Sequence, residues 1–176
     1  MLAKVRDPSS KEAKALLAVP TATGSKVILL KIESTSDTDA LKAIRYAESQ
    51  GITELDVVIA NAGTFTSDAY RPVAETRVSD LKSHFDINTV GPLRLFQATL
   101  PLLNKAQNPK FVVIGSVIGT IGGLDQIPWP NTAYGVSKAA VNYLARKIHF
   151  ENENLVSFAI HPGYLGSLRF GRALPR

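Results

Sequence analysis

The sequence predicts an α/β fold, a doubly wound parallel sheet with helices on both faces. Short apolar runs rich in Val and Ile alternate along the chain with longer stretches of helical periodicity, as in folds built from successive strand and helix units. Apolar and polar residues do not alternate within these runs, which is typical of strands buried on both faces. The predicted strands are 2–5, 27–32, 55–60, 111–114 and 155–160.

The stretches between these strands carry apolar residues at helical spacing. In the stretch 39–50 they are Leu41, Ile44 and Ala47. The longest stretch is broken near Gly91-Pro92, because proline removes a hydrogen bond from the interior of a helix. In such a fold, ligands bind at the carboxyl ends of the strands. The predicted helices are 10–17, 39–50, 78–103 with its break, and 132–152.

Length and composition fit a single domain, residues 1–176. Hydrophobic residues make up 45% of the 176, enough for a buried core. The chain has no cysteine, which excludes disulfides, a thiol nucleophile and a cysteine-ligated metal. Its start lacks the apolar core of a signal peptide, and no run reaches the roughly 18 apolar residues that span a bilayer. We therefore expect a cytoplasmic protein that binds no membrane.

The net charge of +5 does not indicate a nucleic-acid-binding protein. Arg169, Arg172 and Arg176 supply three of these charges, so the rest of the chain carries only +2 (5 − 3). The remaining basic residues are scattered among acidic ones, as on an ordinary solvated surface. The three histidines have no ligand spacing, so no metal is expected.

The most informative pair is Tyr134 and Lys138, four residues apart in the last predicted helix and therefore on one face of it. A phenol has an unperturbed pKa of about 10. A nearby cation favours the phenolate, so Lys138 is expected to lower the pKa of Tyr134 toward the range useful for proton transfer. The spacing alone is weak, since five tyrosines and eleven lysines in 176 residues give roughly a third of one such pair by chance.

The pair gains meaning from four other motifs, which occur in a fixed order. Asn61-Ala62-Gly63 ends one apolar run, Asn88 interrupts the long helical stretch, Ser116 follows a second run, and Pro162-Gly163 follows a third. The combined order, with the Tyr134-Lys138 pair between the last two, resembles the short-chain dehydrogenase/reductase family over about residues 5–163. The segments VRDPSS, DVVIANAG, GSVIGTIGG and AYGVSKAAVNYLARKIH resemble the ketoreductases of fungal polyketide pathways, the norsolorinic acid ketoreductase type.

The resemblance implies a Rossmann-like fold, a small carbonyl or alcohol substrate, NADPH as the cofactor with NADH as the alternative, and a homo-oligomer. Tyr134 would be the general acid in carbonyl reduction, Lys138 would hold the nicotinamide ribose, and Ser116 would hydrogen-bond the substrate carbonyl. Asn88 would support a water relay to Lys138. Each residue also has a plain structural alternative. Tyr134 could be a packed aromatic and Lys138 a solvent-facing lysine. Ser116 could be a turn serine and Asn88 a helix-capping asparagine.

The resemblance also assigns the cofactor-binding residues. Arg6 lies where the 2′-phosphate of NADP is accommodated, and Glu33 stands where the family commonly has an Asp near the adenine. Gly63 permits close approach of the backbone to the cofactor. Together with Tyr134 and Lys138, the cofactor-binding set is Arg6, Glu33, Asn61, Ala62, Gly63, Pro162 and Gly163.

A glycine-rich turn between a first strand and a helix is missing from the sequence. The glycine-rich 115–123 segment is no substitute, because Pro128 and Pro130 follow it and no helix begins there. Compared with the family, strand 2–5 corresponds to the second strand, so a gap is expected in the middle of the sheet. The residues after Gly163 show no strand or helix pattern, and both ends suggest a truncated chain. The alternative function is therefore an inactive remnant that acts, if at all, as an interaction partner.

Overall fold

The computed structural model describes residues 1–163, and the predicted irregular C-terminal segment lies outside them. Within residues 1–163, five strands alternate with helical segments that comprise five α-helices, which confirms the α/β fold. The strands are β1 (Leu2–Val5), β2 (Ile28–Lys31), β3 (Val57–Ala60), β4 (Lys110–Ile114) and β5 (Val156–Ile160). The helices are α1 (Lys11–Leu17), α2 (Asp39–Ser49), α3 (Val78–Phe85), α4 (Gly91–Leu103) and α5 (Thr132–Glu151).

The strands form two separate sheets, and the expected gap lies between them. β1 pairs with β2, and β3 and β5 pair with opposite edges of β4, all in parallel. Among the described residues no strand lies between β1 and β3, so each of these strands has one edge without a neighbour.

Two apolar clusters pack the helices α2, α4 and α5 against the strands. Phe96 and Leu103 of α4 pack with Val58, Phe111 and other residues of β3, β4 and α5. Ala98 and Leu102, also of α4, pack with β2 and α2. Because α4 contributes to both clusters, it fixes the two sheets relative to each other despite the gap.

Burial on both faces, expected from the apolar runs, is wrong for β3 and for part of β5. Val57 and Ile59 are exposed, whereas Val58 and Ala60 are buried. The reason is that α4 and α5 pack on the face carrying Val58 and Ala60. Other large apolar residues exposed on β5 are Val156, Phe158 and Ile160.

The break in the long helical stretch is a π-helical turn. This turn, Asp86–Val90, joins α3 directly to α4, so the break precedes Gly91 instead of falling on it. A π-turn inserts an extra residue into the helix and is frequent at functional sites. Here it carries Asn88 and Thr89, both buried, toward α5.

Candidate active site

Tyr134 and Lys138 lie on one face of α5 and point toward the ends of β3 and β4. The ammonium nitrogen of Lys138 is 5.5 Å from the centre of the Tyr134 ring. Lys138 is only 5% exposed, and its Nζ donates a hydrogen bond to the carbonyl oxygen of Ile114 at 2.7 Å. The alternative of a solvent-facing lysine is therefore wrong.

Burial moves the pKa values of the two groups in opposite directions. It lowers the pKa of Lys138 to about 8 and raises the pKa of Tyr134, an increase that a hydrogen bond with Ser116 partly offsets. The net shift of the Tyr134 pKa is thus upward in the chain by itself, opposite to the direction expected from Lys138, because desolvation is the larger effect. At neutral pH, Tyr134 keeps its proton and most Lys138 side chains keep their charge.

The buried ammonium predicts a stability that rises with pH. Because the pKa of Lys138 is lower in the folded chain than in the unfolded one, the unfolded state binds more protons between these two values. We expect the free energy of unfolding to rise by about 2 kcal/mol between pH 7 and pH 10 from this group. Urea denaturation of the chain and of Lys138→Met at both pH values isolates the contribution; an equal rise in the two proteins would contradict it.

Ser116 places its hydroxyl beside the Tyr134 phenol at the end of β4. Its Oγ accepts a hydrogen bond from the Ile118 backbone N–H at 3.2 Å and so begins the short 3-10 turn Val117–Gly119. The Ser116 side chain also interacts with that of Tyr134 and lowers the pKa of the phenol, against the larger effect of burial. Ser116 therefore does serve a turn, as the plain alternative states, but it also presents its hydroxyl to the phenol.

Gly119 fixes this turn against α5. A Cβ at Gly119 would lie 2.5 Å from the backbone nitrogen of Ala139 and 2.5 Å from the carbonyl carbon of Lys138, too close for any side chain. We expect Gly119→Ala to displace the turn and to lower the free energy of unfolding by about 1–3 kcal/mol, as overpacking does. Gly122→Ala is the matched control, since a Cβ there has no atom within 4 Å. Equal thermal midpoints for the two variants would contradict this packing.

Asn88 ties the loop after β3 to α5. Its Oδ1 accepts a hydrogen bond from the Thr64 N–H at 2.7 Å, and its Nδ2 donates to the Thr64 carbonyl and to Ser137 Oγ, both at 2.9 Å. The amide caps no helix end, so that alternative is wrong. A Cβ on Gly63 would lie 3.2 Å from Asn88 Oδ1 and 3.7 Å from Lys138 Nζ, which places both polar groups around this glycine.

Four of the expected cofactor-binding residues line a single cavity. It has a volume of about 470 Å³ and lies between β1 and β3, with Arg6 and Glu33 on one side and Asn61 and Ala62 on the other. Gly63 follows directly, beside Lys138. Pro162-Gly163 lies after β5, is exposed, and does not line this cavity; Gly163 has a positive φ of 81°.

Comparison with known proteins shows to which family the chain belongs. The sequence profile of the short chain dehydrogenases matches residues 3–169 of this chain. The chain belongs to the short-chain dehydrogenase family. This result confirms the resemblance drawn from the motif order, and the structure brings Ser116, Tyr134 and Lys138 close together.

Sequence identity to individual proteins supports the same family. A short-chain dehydrogenase of Neurospora crassa is 42% identical over 166 residues, which are 93% of this chain and 65% of that protein. The norsolorinic acid ketoreductase of Aspergillus parasiticus is 44% identical over 154 residues, 86% of this chain and 56% of that protein. The chain therefore spans less than two thirds of the length of these two relatives.

A solved structure of a carbonyl reductase has the same fold. The NADPH-bound carbonyl reductase from chicken fatty liver superimposes with a TM-score of 0.80 at 26% identity, over 92% of this chain and 67% of that protein. The parallel strands and the helices described above are thus those of the short-chain dehydrogenase fold.

Sequence reasoning missed several residues that position the family's site. Arg94 of α4 forms ion pairs with Asp37 and Asp86 at 2.7 Å and donates to the Ser34 carbonyl at 3.0 Å. These contacts fasten the loop after β2 to the π-turn. An arginine in the first turn, the one charged residue of α4, was the available signal. Thr64 and Ser137, the partners of Asn88, carried no signal of their own.

The described part of the chain holds no cluster of three His, Cys, Asp or Glu side chains arranged for a metal ion. None of its helices combines the length and the apolar character that crossing a bilayer requires.

Proposed function

We propose that this chain is a ketoreductase, which uses NADPH, with NADH as the alternative, to reduce the carbonyl of a small aromatic or polyketide-like molecule. One observation carries the proposal: the side chains of Tyr134 and Ser116 interact, and the Tyr134 ring lies beside the buried ammonium of Lys138. This arrangement supplies a proton donor, a second hydrogen-bond donor and a positive charge to one oxygen atom.

The reaction requires a proton at the carbonyl oxygen as hydride reaches the carbon. Tyr134 Oη donates that proton, and its raised pKa keeps the phenol protonated before the reaction. Ser116 Oγ hydrogen-bonds the same oxygen while negative charge develops on it. The charge of Lys138 then stabilises the phenolate left on Tyr134. NADPH, when bound, supplies the hydride.

The residues around the cavity fit the cofactor. Arg6 offers a guanidinium to a 2′-phosphate, and Glu33 offers a carboxylate to the adenosine. The backbone of Asn61-Ala62-Gly63 can approach closely, since Gly63 has no side chain that would meet Asn88 or Lys138. Pro162-Gly163, after β5, completes the proposed binding set.

Two observations favour an aromatic substrate. Phe65 packs edge-on against Tyr134, with ring centres 5.2 Å apart, and Tyr70 packs edge-on against Phe65 at 6.3 Å. Aromatic rings favour such offset and edge-to-face contacts with other rings. The similarity to norsolorinic acid ketoreductases supports the same substrate class.

Arg6 predicts a preference for the phosphorylated cofactor. A guanidinium holds a phosphate through paired, charge-assisted hydrogen bonds. We expect Arg6→Ala to raise the Kd for NADPH by about tenfold, since a charged hydrogen bond contributes about 1.5–3 kcal/mol, and to leave the Kd for NADH nearly unchanged. Calorimetry with both cofactors measures the difference, and Arg45→Ala on α2 is the control. An equal loss for both cofactors would contradict the assignment.

A titration with NADPH separates this function from the inactive remnant. The proposed reductase gives saturable enhancement of cofactor fluorescence and then oxidises NADPH when an aromatic ketone is added. The inactive remnant gives a flat response in both measurements.

A further inference from the structure

α5 carries a third polar side chain on the face that holds Tyr134 and Lys138. Asn142 lies four residues after Lys138 and eight after Tyr134, so the three side chains follow one another along that face. Asn142 is partly buried, and the proposed reaction makes no use of it. All three side chains meet the end of β4 and the residues that follow it directly.

The three side chains contact neighbouring residues of this segment. Lys138 Nζ donates a hydrogen bond to the Ile114 carbonyl at 2.7 Å. Asn142 Nδ2 donates to the Ser116 carbonyl at 3.4 Å, and the Tyr134 side chain interacts with that of Ser116. The hydrogen bond from Asn142 therefore ties the main chain of Ser116 to the helix that carries the phenol.

Gly115 leaves room for the Asn142 amide against the main chain. A Cβ on Gly115 would lie 2.5 Å from Asn142 Oδ1 and 3.1 Å from the Ala159 Cβ. The hydrogen that Gly115 carries in that direction faces the amide oxygen instead, as in a weak C–H···O contact. The Ser116 carbonyl fixes which way the amide points, because the opposite orientation would bring two acceptor oxygens together.

Packing alone does not explain an amide at position 142. Within residues 1–163, the buried Oδ1 of Asn142 has no hydrogen-bond partner, and an unpaired buried acceptor is costly. A leucine of similar size would avoid that cost. What the amide adds is the N–H group that it donates to Ser116.

The turn after β4 fixes the shape of Ser116 but does not by itself link that residue to α5. Ser116 Oγ accepts the Ile118 N–H at 3.2 Å, and the Ser116 carbonyl accepts the Gly119 N–H at 3.1 Å. Both bonds lie within the turn. The close packing of Gly119 on α5 holds the far end of the turn, and the hydrogen bond from Asn142 holds Ser116 itself.

We infer that Asn142 is a positioning residue, which holds Ser116 where its hydroxyl and that of Tyr134 reach the same carbonyl oxygen. The inference rests on the proposed function, since the two hydroxyls share that oxygen only in carbonyl reduction. Asn142 acts through the main chain of Ser116 and not on the substrate. Such positioning matters because a displacement of about 1 Å can lower the rate of a reaction by about 10²-fold.

Hydrogen exchange tests the positioning without any turnover. The Ile118 and Gly119 amides donate to Ser116, so their exchange reports how firmly Ser116 is held. We expect Asn142→Ala to speed exchange at both amides by about fivefold or more, the equivalent of one hydrogen bond, while the amides of β4 keep their rates. The matched control is Asn154→Ala, which shortens an exposed asparagine and should leave all these rates unchanged.

A double-mutant cycle with Ser116→Ala separates positioning from a general loss of structure. Asn142→Ala alone should lower kcat for an aromatic ketone by about tenfold and leave the Kd for NADPH within about twofold. In the Ser116→Ala background it should lower kcat further by less than about twofold, because the hydroxyl that it positions is gone. A merely structural role would lower kcat by the same factor in both backgrounds.

Three outcomes would overturn the proposal. They are unchanged exchange at Ile118 and Gly119, exchange that speeds up equally in β4, and an equal loss of kcat in the two backgrounds. Absence of ketone reduction by the unmodified chain would contradict the proposed function instead, and the exchange rates would still decide whether Asn142 holds Ser116. If Asn142→Ala does not fold, Asn142→Leu, which keeps the volume, replaces it in both measurements.

Discussion

Tyr134→Phe should lower the rate of ketone reduction by about 10²–10⁴-fold, the usual contribution of a positioned proton donor. Phenylalanine keeps the ring that packs against Phe65 and removes only the hydroxyl that interacts with Ser116. The Kd for NADPH should change little, because the proton is needed only when the carbonyl is reduced. Steady-state kinetics together with a cofactor titration separate the two quantities.

The matched control for this variant is Tyr143→Phe. Tyr143 lies on the same helix but is 69% exposed, and its ring forms none of the described contacts of the site. This variant should reduce ketones at the rate of the unmodified chain. A Tyr134→Phe protein that retains full turnover would remove the phenol from the mechanism.

Asn88→Ala should lower the free energy of unfolding by about 3 kcal/mol or more, since a buried polar group without a partner costs about 1–3 kcal/mol. The side chain makes three hydrogen bonds, two to the Thr64 backbone and one to Ser137 Oγ. Ser137 Oγ donates in turn to the Tyr134 carbonyl at 2.7 Å, so the loss extends to the helix that carries the phenol. Urea denaturation monitored by circular dichroism measures the change.

Asn104→Ala provides the comparison for this loss. Asn104 is an exposed residue with helical backbone angles at the end of α4, and no side-chain hydrogen bond is recorded for it among the described residues. Its replacement should change the stability by no more than about 0.5 kcal/mol. A similar loss in both variants would mean that the network of Asn88 contributes nothing specific.

Much of the fold could be predicted because the relevant patterns are local. Short Val- and Ile-rich runs alternating with helical periodicity identify the five strands of residues 1–163 and four helical stretches, of which the broken one contains α3 and α4. The missing glycine-rich turn predicts the gap beside β1. Exposure of Val57 and Ile59 could not be predicted, because it depends on which face α4 and α5 cover. The π-turn is likewise invisible in the sequence beyond an interruption near Gly91.

The site was only partly predictable from the sequence. Spacing places Tyr134 and Lys138 on one face, and the order of motifs adds Ser116 and Asn88. The direction in which the pKa of Tyr134 shifts could not be predicted, because the shift reflects the balance between desolvation and hydrogen bonding in the folded chain. The ion pairs of Arg94 join residues up to 57 positions apart, and composition carries no signal for such long-range contacts.

The central claim is that the hydroxyls and the ammonium on α5 and β4 form a carbonyl-reducing site. Its most direct test follows the label from NADPH carrying deuterium at the transferable position of the nicotinamide ring, with an aromatic ketone as substrate. We expect the unmodified chain to give an alcohol with deuterium on the carbinol carbon. Tyr134→Phe should form this labelled alcohol at a rate lowered by at least the factor expected for turnover. Saturable NADPH binding without any labelled alcohol, across a panel of aromatic ketones, would contradict it.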